Sequence, residues 1–399
     1  MTKRDSDNLS REDFKREQAA PRRHGTMKRI VTIVLVLAVV LGAVLLAAYQ
    51  DINSFDSLRR MLSYNKVTQD EQGRAELYSY DSDRSNRYAL LGKRLIVVSE
   101  NKLSVLADDG SQVFSQAVRM TNPAIALGGQ TALVYDIGGT SAYLLGAKGL
   151  IRDCSELCAG GILAASVNTS DYLVLTTEQS GYKSIVSAYD PTGNLIFAFN
   201  SSDHYVLDAC VLRDCKHLAA VTLGESDGIF SSTLNLYSLS SETAESQNIL
   251  NGSLVLSLEG LGGKLATLAD DRLTVFGADG SLDGSYRYEY PYLRAESFGG
   301  SDYAALLLSR YKSGSTLRLV TVSADGETLG SADIKKEVLG VSAAGKYVAV
   351  LYSDSLCIYT SDLNEYATLE NTEYAKSVIM REDGTALLLG NTSAWLYIP

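Results

Sequence analysis

The feature that most constrains this chain is a unit repeated in series. In "AAGKYVAVLYSDSLCIY" (343–359) a small turn leads into an apolar strand, a polar turn and a second strand. Hairpins of this kind recur as ALLGKRLIVV (89–98), IALGGQTALV (125–134), ASVNTSDYLVL (165–175) and CVLRDCKHLAAV (210–221). They continue as SLEGLGGKLATL (257–268), ESFGGSDYAALL (296–307), GVSAAGKYVAVL (340–351) and IMREDGTALLL (379–389). Their turn residues, Gly92, Gly129, Ser170, Cys215, Gly263, Gly300, Gly345 and Gly384, lie 37 to 48 residues apart. A third strand follows each hairpin and usually ends in an Asp/Gly turn, as in KLSVLADDG (102–110) and LRLVTVSADG (317–326). Glycine accepts positive φ there, which makes these turns hairpin signals. A more polar fourth strand comes next, such as GNLIFAFN (193–200). Four strands per unit and a period near 40 residues predict an all-β fold, an eight-bladed β-propeller of four-stranded antiparallel blades. Seven blades is the alternative, if one weak copy is a loop excursion.

The last copy ends at SAWLYIP (393–399), a third strand with no fourth. GRAELYSYD (73–81) precedes the first copy and alternates as a strand should. It is expected to complete the last blade, pairing both ends of the chain and removing the exposed edges of an open stack.

Ahead of the repeats, residues 30–49 read IVTIVLVLAVVLGAVLLAAY, with no charged group. Twenty helical residues span about 30 Å, the hydrocarbon thickness of a bilayer. The run is longer than the ~7–15 apolar residues of a cleavable signal, and Leu46-Ala47-Ala48 is a poor cleavage site, so it reads as an uncleaved signal anchor. Nine Lys/Arg against five acids in residues 1–29 place the N-terminus in the cytoplasm and the rest outside, as a single-pass plasma-membrane protein. The expected domains are a disordered basic tail (1–29), the transmembrane helix (30–49), a juxtamembrane linker with a short amphipathic helix (50–72) and the extracytoplasmic propeller (73–399). Met27, followed by Lys28 and Arg29, is an alternative start. Net charge is −11 overall, so the body beyond the tail is strongly acidic. That argues against nucleic acid as a partner, because phosphate binding needs a basic surface.

The basic tail, the single span and the propeller together resemble an uncharacterised family of membrane proteins from Gram-positive, Clostridia-type bacteria, a domain of unknown function. The matching stretches are NPAIALGGQTALVYDIGG (122–139), SGYKSIVSAYDPTGNLIFAF (180–199) and HYVLDACVLRDCKHLAAVTLGESDG (204–228). The resemblance implies a WD40-like or quinoprotein-like propeller outside the membrane, and no activity. Cys215 stands where the repeat usually has Gly.

Signals for chemistry are sparse. The histidines are His24, His204 and His217, and zinc spacing, a phosphate loop and HExxH are missing. The glycines of GGQTALVYDIGG lead from strand to strand, not into a helix, which removes a dinucleotide reading. Quinoprotein dehydrogenases also use eight blades, but resemblance to them would imply repeated Trp docking motifs, and Trp395 is the single Trp. Neither a cofactor nor a metal is expected. Cys154–Cys158 and Cys210–Cys215 are candidate disulfides, permitted outside the cytoplasm but not fixed by sequence. Cys357 reads as a buried apolar residue.

Recognition is expected on one face, where loops TEQSGYKS (177–184), GESDGIFSS (224–232), SRYKSGST (309–316) and YRYEYPYLR (286–294) gather. They carry Tyr182, Lys183, Phe230, Tyr288, Tyr290, Tyr292, Arg294, Arg310, Tyr311 and Lys312, side chains favoured at binding hot spots. The leading expectation is a non-catalytic module that binds envelope proteins, exported chains or wall polymers. A ligand sensor signalling through the span is the alternative. An envelope carbohydrase would need two carboxylates in the channel, with Asp136 and Asp208 as candidates.

Overall fold

The computed structural model describes residues 31–42, 52–65, 67–226, 228–313 and 316–399. The chain divides into two units, Met1–Lys66 and Val67–Pro399. In the first, helix α1 covers 31–42 and helix α2 is Ile52–Ser63. The basic tail and the ends of the expected 30–49 span lie outside the described residues. Among the described residues no helix is long and apolar enough to cross a membrane.

The second unit is built of eight four-stranded antiparallel sheets. Blade 1 is β2–β5 (87–117), blade 2 β6–β9 (123–153), blade 3 β10–β13 (162–201) and blade 4 β14–β17 (205–251). Blade 5 is β18–β21 (255–287), blade 6 β22–β25 (292–334) and blade 7 β26–β29 (338–370). In blade 8, β30–β32 (377–397) are joined by β1 (Arg74–Ser79). The count is therefore eight, and each repeated hairpin forms the first two strands of a blade. β1 pairs with β32 (Ser393–Tyr397) from Arg74↔Tyr397 to Ser79↔Ser393, so the ring closes through the two ends of the repeat region as the sequence indicates.

The strands follow from where each one sits. Middle strands are sandwiched between neighbouring blades, so both of their faces are apolar and they read as continuous runs. β27 (Tyr347–Tyr352) is buried at every residue. The outermost strands face a neighbour on one side and water on the other, and β17 (Ala244–Asn251) alternates between half-buried and exposed. Apolar clusters fill the junctions from blade 1–blade 2 round to blade 7–blade 8. Several of the turns into the outermost strands are tied by an aspartate. Asp109 accepts from Ser111 N–H (2.9 Å) and Oγ (2.6 Å), and Asp279 does the same with Ser281. Gly110 in such a turn has φ 82°, and a Cβ there would stand 2.1 Å from the Leu77 carbonyl oxygen of the closing strand. Only glycine satisfies both conditions.

The first strands of successive blades surround a central channel. In blades 3 to 7 these strands carry a bulge, so one residue of each has no opposite number: Leu163, Leu207, Leu256, Arg294 and Leu339. A bulge bends the strand and re-aims its side chains.

Candidate functional site

Loops between second and third strands emerge on the same face as loops between blades, and side chains lock the two kinds together. Arg294, at the start of blade 6, donates from Nη2 to the carbonyls of Tyr311 (3.1 Å) and Lys312. This holds residues 311 and 312 of the loop while Arg310, Tyr311 and Lys312 stay exposed. The Arg310 guanidinium lies 5.8 Å from the Tyr311 ring centroid. Lys183 of blade 3 sits 5.1 Å over the ring of Tyr205 of blade 4. Tyr182 and Tyr292 are each 40% exposed.

Blade 4 contributes the longest hairpin, β15 (His217–Ser226) and β16 (Ile229–Ser238). Pairing with β14 (Tyr205–Val211) stops at Tyr205↔Leu223, and pairing with β17 stops at Ser231↔Asn251. The tip beyond these points is a two-stranded arm, and its Ile229 and Phe230 are both 62% exposed.

Two expected members of this face are packing residues. Tyr288 is a correction: it is buried and donates its O–H to the Ala269 carbonyl at 2.9 Å. An aromatic ring beside a blade junction gains more from that apolar pocket than from water. Tyr290 is half-buried, with the Arg318 guanidinium 4.6 Å over its ring, and Arg318 is itself paired with Glu289 and Asp333.

The cysteines are all free, which corrects both candidate disulfides. Cys154 and Cys158 flank the 3-10 turn Ser155–Leu157, and the Cys158 thiol donates to the Cys154 carbonyl. Cys210 lies opposite Ala219 in its ladder, whereas Cys215 sits at the hairpin tip with φ 56°. The two positions are displaced along the hairpin, and a bridge needs Cβ atoms ≈ 3.5–4.5 Å apart.

The channel holds what the sequence left undistinguished. A cavity of about 1200 Å³ runs along it, lined by Leu163, Leu207 and Leu256 and by Asp208, Glu259 and Glu296. Asp208 accepts from Leu258 N–H of blade 5 (2.8 Å) and from Ala209 N–H (2.9 Å), so both oxygens are engaged and the first strands of blades 4 and 5 are tied. Serines tie other junctions. Ser166 Oγ donates to the Ala209 carbonyl (2.7 Å), and Ser297 and Ser342 accept from the amides of Ala343 (2.8 Å) and Met380 (2.9 Å). Burial pushes the Asp208 carboxyl up to about 6 against the pull of its two N–H donors. Glu259 is pushed up to about 7, by burial first and then by the charges of Asp208 and Glu296. Burial also raises Glu296, and it raises the Cys210 thiol further with help from Asp208 and Glu259. Asp208 and Glu259 are each the lone charge of their strand and Glu296 shares its strand with Arg294, so no spacing in the sequence announces the group.

Asp136 is not part of it. Its Oδ1 accepts from the amides of Thr121 (2.8 Å) and Asn122 (2.6 Å), which fixes the loop between blades 1 and 2 and leaves Asp208 without the expected carboxylate partner. His217 stands between Asp214 (2.5 Å) and Glu245 (3.4 Å) at a hairpin turn. His204 packs beside the backbone of Gly224. Among the described residues no group of three His, Cys, Asp or Glu side chains is placed to hold a metal.

A family model described as "Family of unknown function (DUF5711)" matches residues 64–393. No curated protein matches the chain. Among solved structures, the C-terminal WD40 domain of Sif2 superposes with a TM-score of 0.59 at 12% identity, covering 82% of this chain and 98% of that one. The computationally designed Ika8 protein gives 0.55 at 13% identity, covering 81% and 99%. BamB from Moraxella catarrhalis gives 0.51 at 13% identity, covering 82% and 100%. At these identities the likeness is one of fold alone.

Proposed function

This chain belongs to DUF5711, a family of unknown function, and we propose that it is a membrane-anchored, extracytoplasmic binding module without catalytic activity, engaging envelope proteins or exported chains. The observation that carries this reading is the loop face of blades 3, 4 and 6. Tyr182, Tyr205, Ile229, Phe230, Tyr292 and Tyr311 are each at least 40% exposed there. Large apolar and aromatic groups held on a rigid ring are what a partner can bury, each contributing roughly 1.5–3 kcal/mol when fully covered. Arg310 and Lys312 add positive charge to an otherwise acidic body, which suits an acidic partner surface.

Anchoring is supported by α1. Its Val, Ile and Leu side chains between Val31 and Leu41 are 55–63% exposed all round the helix. Such a helix needs an apolar environment on every side. The basic flank before it favours a cytoplasmic N-terminus.

The test is in-cell photocrosslinking from position 311. Reproducible capture of one envelope protein, lost in Phe230→Asp and Arg310→Ala, is the expected result. Capture of nothing, with the chain expressed at the level of a working control, would remove this face as the recognition surface.

A further inference from the structure

We propose that the closing junction of the ring, between blade 8 and blade 1, is a binding site for a small neutral saccharide. One residue before the turn into the outermost strand, four blades point a large aromatic side chain at the preceding blade. These are Tyr189, Tyr237, Phe276 and Tyr359, each packed in the apolar cluster of its junction. The turns that define this position are Asp190–Gly193, Ser238–Ser241, Gly277–Gly280 and Thr360–Leu363, and in blade 1 the turn is Ala107–Gly110. Blade 1 therefore has Leu106 at the same place, and blade 6, whose turn is Ser323–Gly326, has Val322 there inside its apolar cluster; no such apolar cluster is found at the blade 8–blade 1 junction among the described residues. The volume the aromatic ring would take is part of a cleft of about 570 Å³. That lies inside the ~300–1,000 Å³ range of small-molecule sites.

The walls of the cleft are not those of a failed apolar core. Ser99, Ser104, Ser115, Gln112, Gln116 and Asn86 line it. Ser104 is 6% exposed, and its hydroxyl has one hydrogen-bond contact among the described residues, Ser115 Oγ at 3.4 Å, at the long limit. The corresponding position is polar in blades 3 to 5 as well, Ser187, Asn235 and Thr274, and is Val320 in blade 6; in blade 4 Asn235 is held by Gln247 Nε2 (2.9 Å) and Thr222 Oγ1 (3.1 Å), whereas Ser104 has the long Ser115 contact. Ser99 and Ser104 are buried, Ser115, Gln116 and Asn86 half-buried and Gln112 exposed, and a roomy site with such polar walls holds water rather than vacuum. A polyol is the ligand whose own hydroxyls can replace those waters bond for bond.

The charges in the cleft point the same way. Lys102 is paired with Asp81 at 2.6 Å, and Asp83 is held by Ser85 N–H (2.8 Å) and Oγ (2.7 Å). No cation is left over among the lining residues, so an anionic ligand has nothing to meet it. Tyr80 also lines the cleft, its O–H shared between the Gly390 and Ser393 carbonyls and its ring packed against Tyr88.

The experiment is saturation-transfer NMR on the full-length chain, in a detergent without a sugar headgroup, with N-acetylglucosamine as probe and glucuronate as the charged comparison. Transfer to the N-acetylglucosamine protons is expected with an affinity on the order of 1 mM. Leu106→Tyr supplies the ring found at four other junctions and should weaken binding at least about tenfold, and Ser104→Ala should weaken it by a similar factor. Should Leu106→Tyr fail to fold, Ser104→Ala and Gln112→Ala decide the matter alone. The proposal is overturned by absent transfer with the folded chain, by unchanged transfer in these variants, or by glucuronate binding as well as the neutral sugar.

Discussion

Replacing Glu259 with glutamine should raise the stability of the propeller at alkaline pH and leave it nearly unchanged in acid. Folding pushes the Glu259 carboxyl from 4.5 up to about 7, through burial and the neighbouring charges of Asp208 and Glu296. A raised carboxylate binds its proton more tightly in the folded state than in the unfolded chain. Its contribution to stability is therefore fully present below about pH 4.5 and is lost as pH rises through 7. A shift of this size corresponds to roughly 3 kcal/mol at about 1.4 kcal/mol per pH unit. Water reaches the side chain along the channel, and the titration is shared with Asp208, which reduces the net effect of the single substitution to about 1–2 kcal/mol. Glutamine keeps the shape and removes the charge. At pH 8 the variant should melt roughly 2–4 °C above the parent, and at pH 5 the two should coincide. The comparison must be made variant against parent. Several surface aspartates, Asp190 among them, are held well below the usual range by hydrogen bonds from turn residues and impose the opposite slope on both proteins. Calorimetry of both proteins at the two pH values is the assay. An unchanged difference between pH 5 and pH 8, or a variant less stable at pH 8, would refute the assignment of like-charge strain to this channel.

Three further outcomes follow from the same geometry. Gly110→Ala should lower the melting temperature by the equivalent of at least about 2 kcal/mol, because a Cβ there meets the Leu77 carbonyl in a backbone conformation that alanine resists; a calorimetric scan reads it, and a neutral result would mean that the closing strand gives way. Tyr288→Phe should cost about 1 kcal/mol, the worth of its bond to the Ala269 carbonyl, while leaving crosslinking from position 311 unaltered; loss of capture would return Tyr288 to the recognition face. Thiol labelling of the native chain at neutral pH should modify Cys215 well before Cys154, Cys158 and Cys357, which are buried; mass spectrometry without reductant checks this, and a mass lower by a disulfide would contradict the free thiols.

Much of the fold was legible because its signals are local. Each blade announces itself through an apolar hairpin, and most also through an Asp/Gly turn, and both depend on a few consecutive residues. Ring closure was legible for a related reason: a last copy short of one strand and an unassigned strand ahead of the first, GRAELYSYD, admit one solution that leaves no open edge. The exposed loop residues Phe230, Arg310 and Tyr311 could be placed on one face by topology alone, since loops of alternate kinds must emerge at opposite ends of the strands.

The sequence by itself determined the repeated four-stranded unit, which strands pair within it and which loops share a face, because propensity, alternation and turn chemistry act over neighbouring residues; the choice of eight blades over seven came with the structure. Only the tertiary structure decided which side chains meet across blades. Tyr288 looks like a rim residue until it turns into a junction. Asp208, Glu259 and Glu296 lie in three different blades, about 40 to 50 residues apart in the chain, and converge only when the ring closes. A bulge on each of those inner strands shifts the alternation by one residue, and a shift of one exchanges the two faces of a strand. The cleft at Leu106 has the same origin, because a ring absent from one blade leaves a space only where the neighbouring blade is present to enclose it.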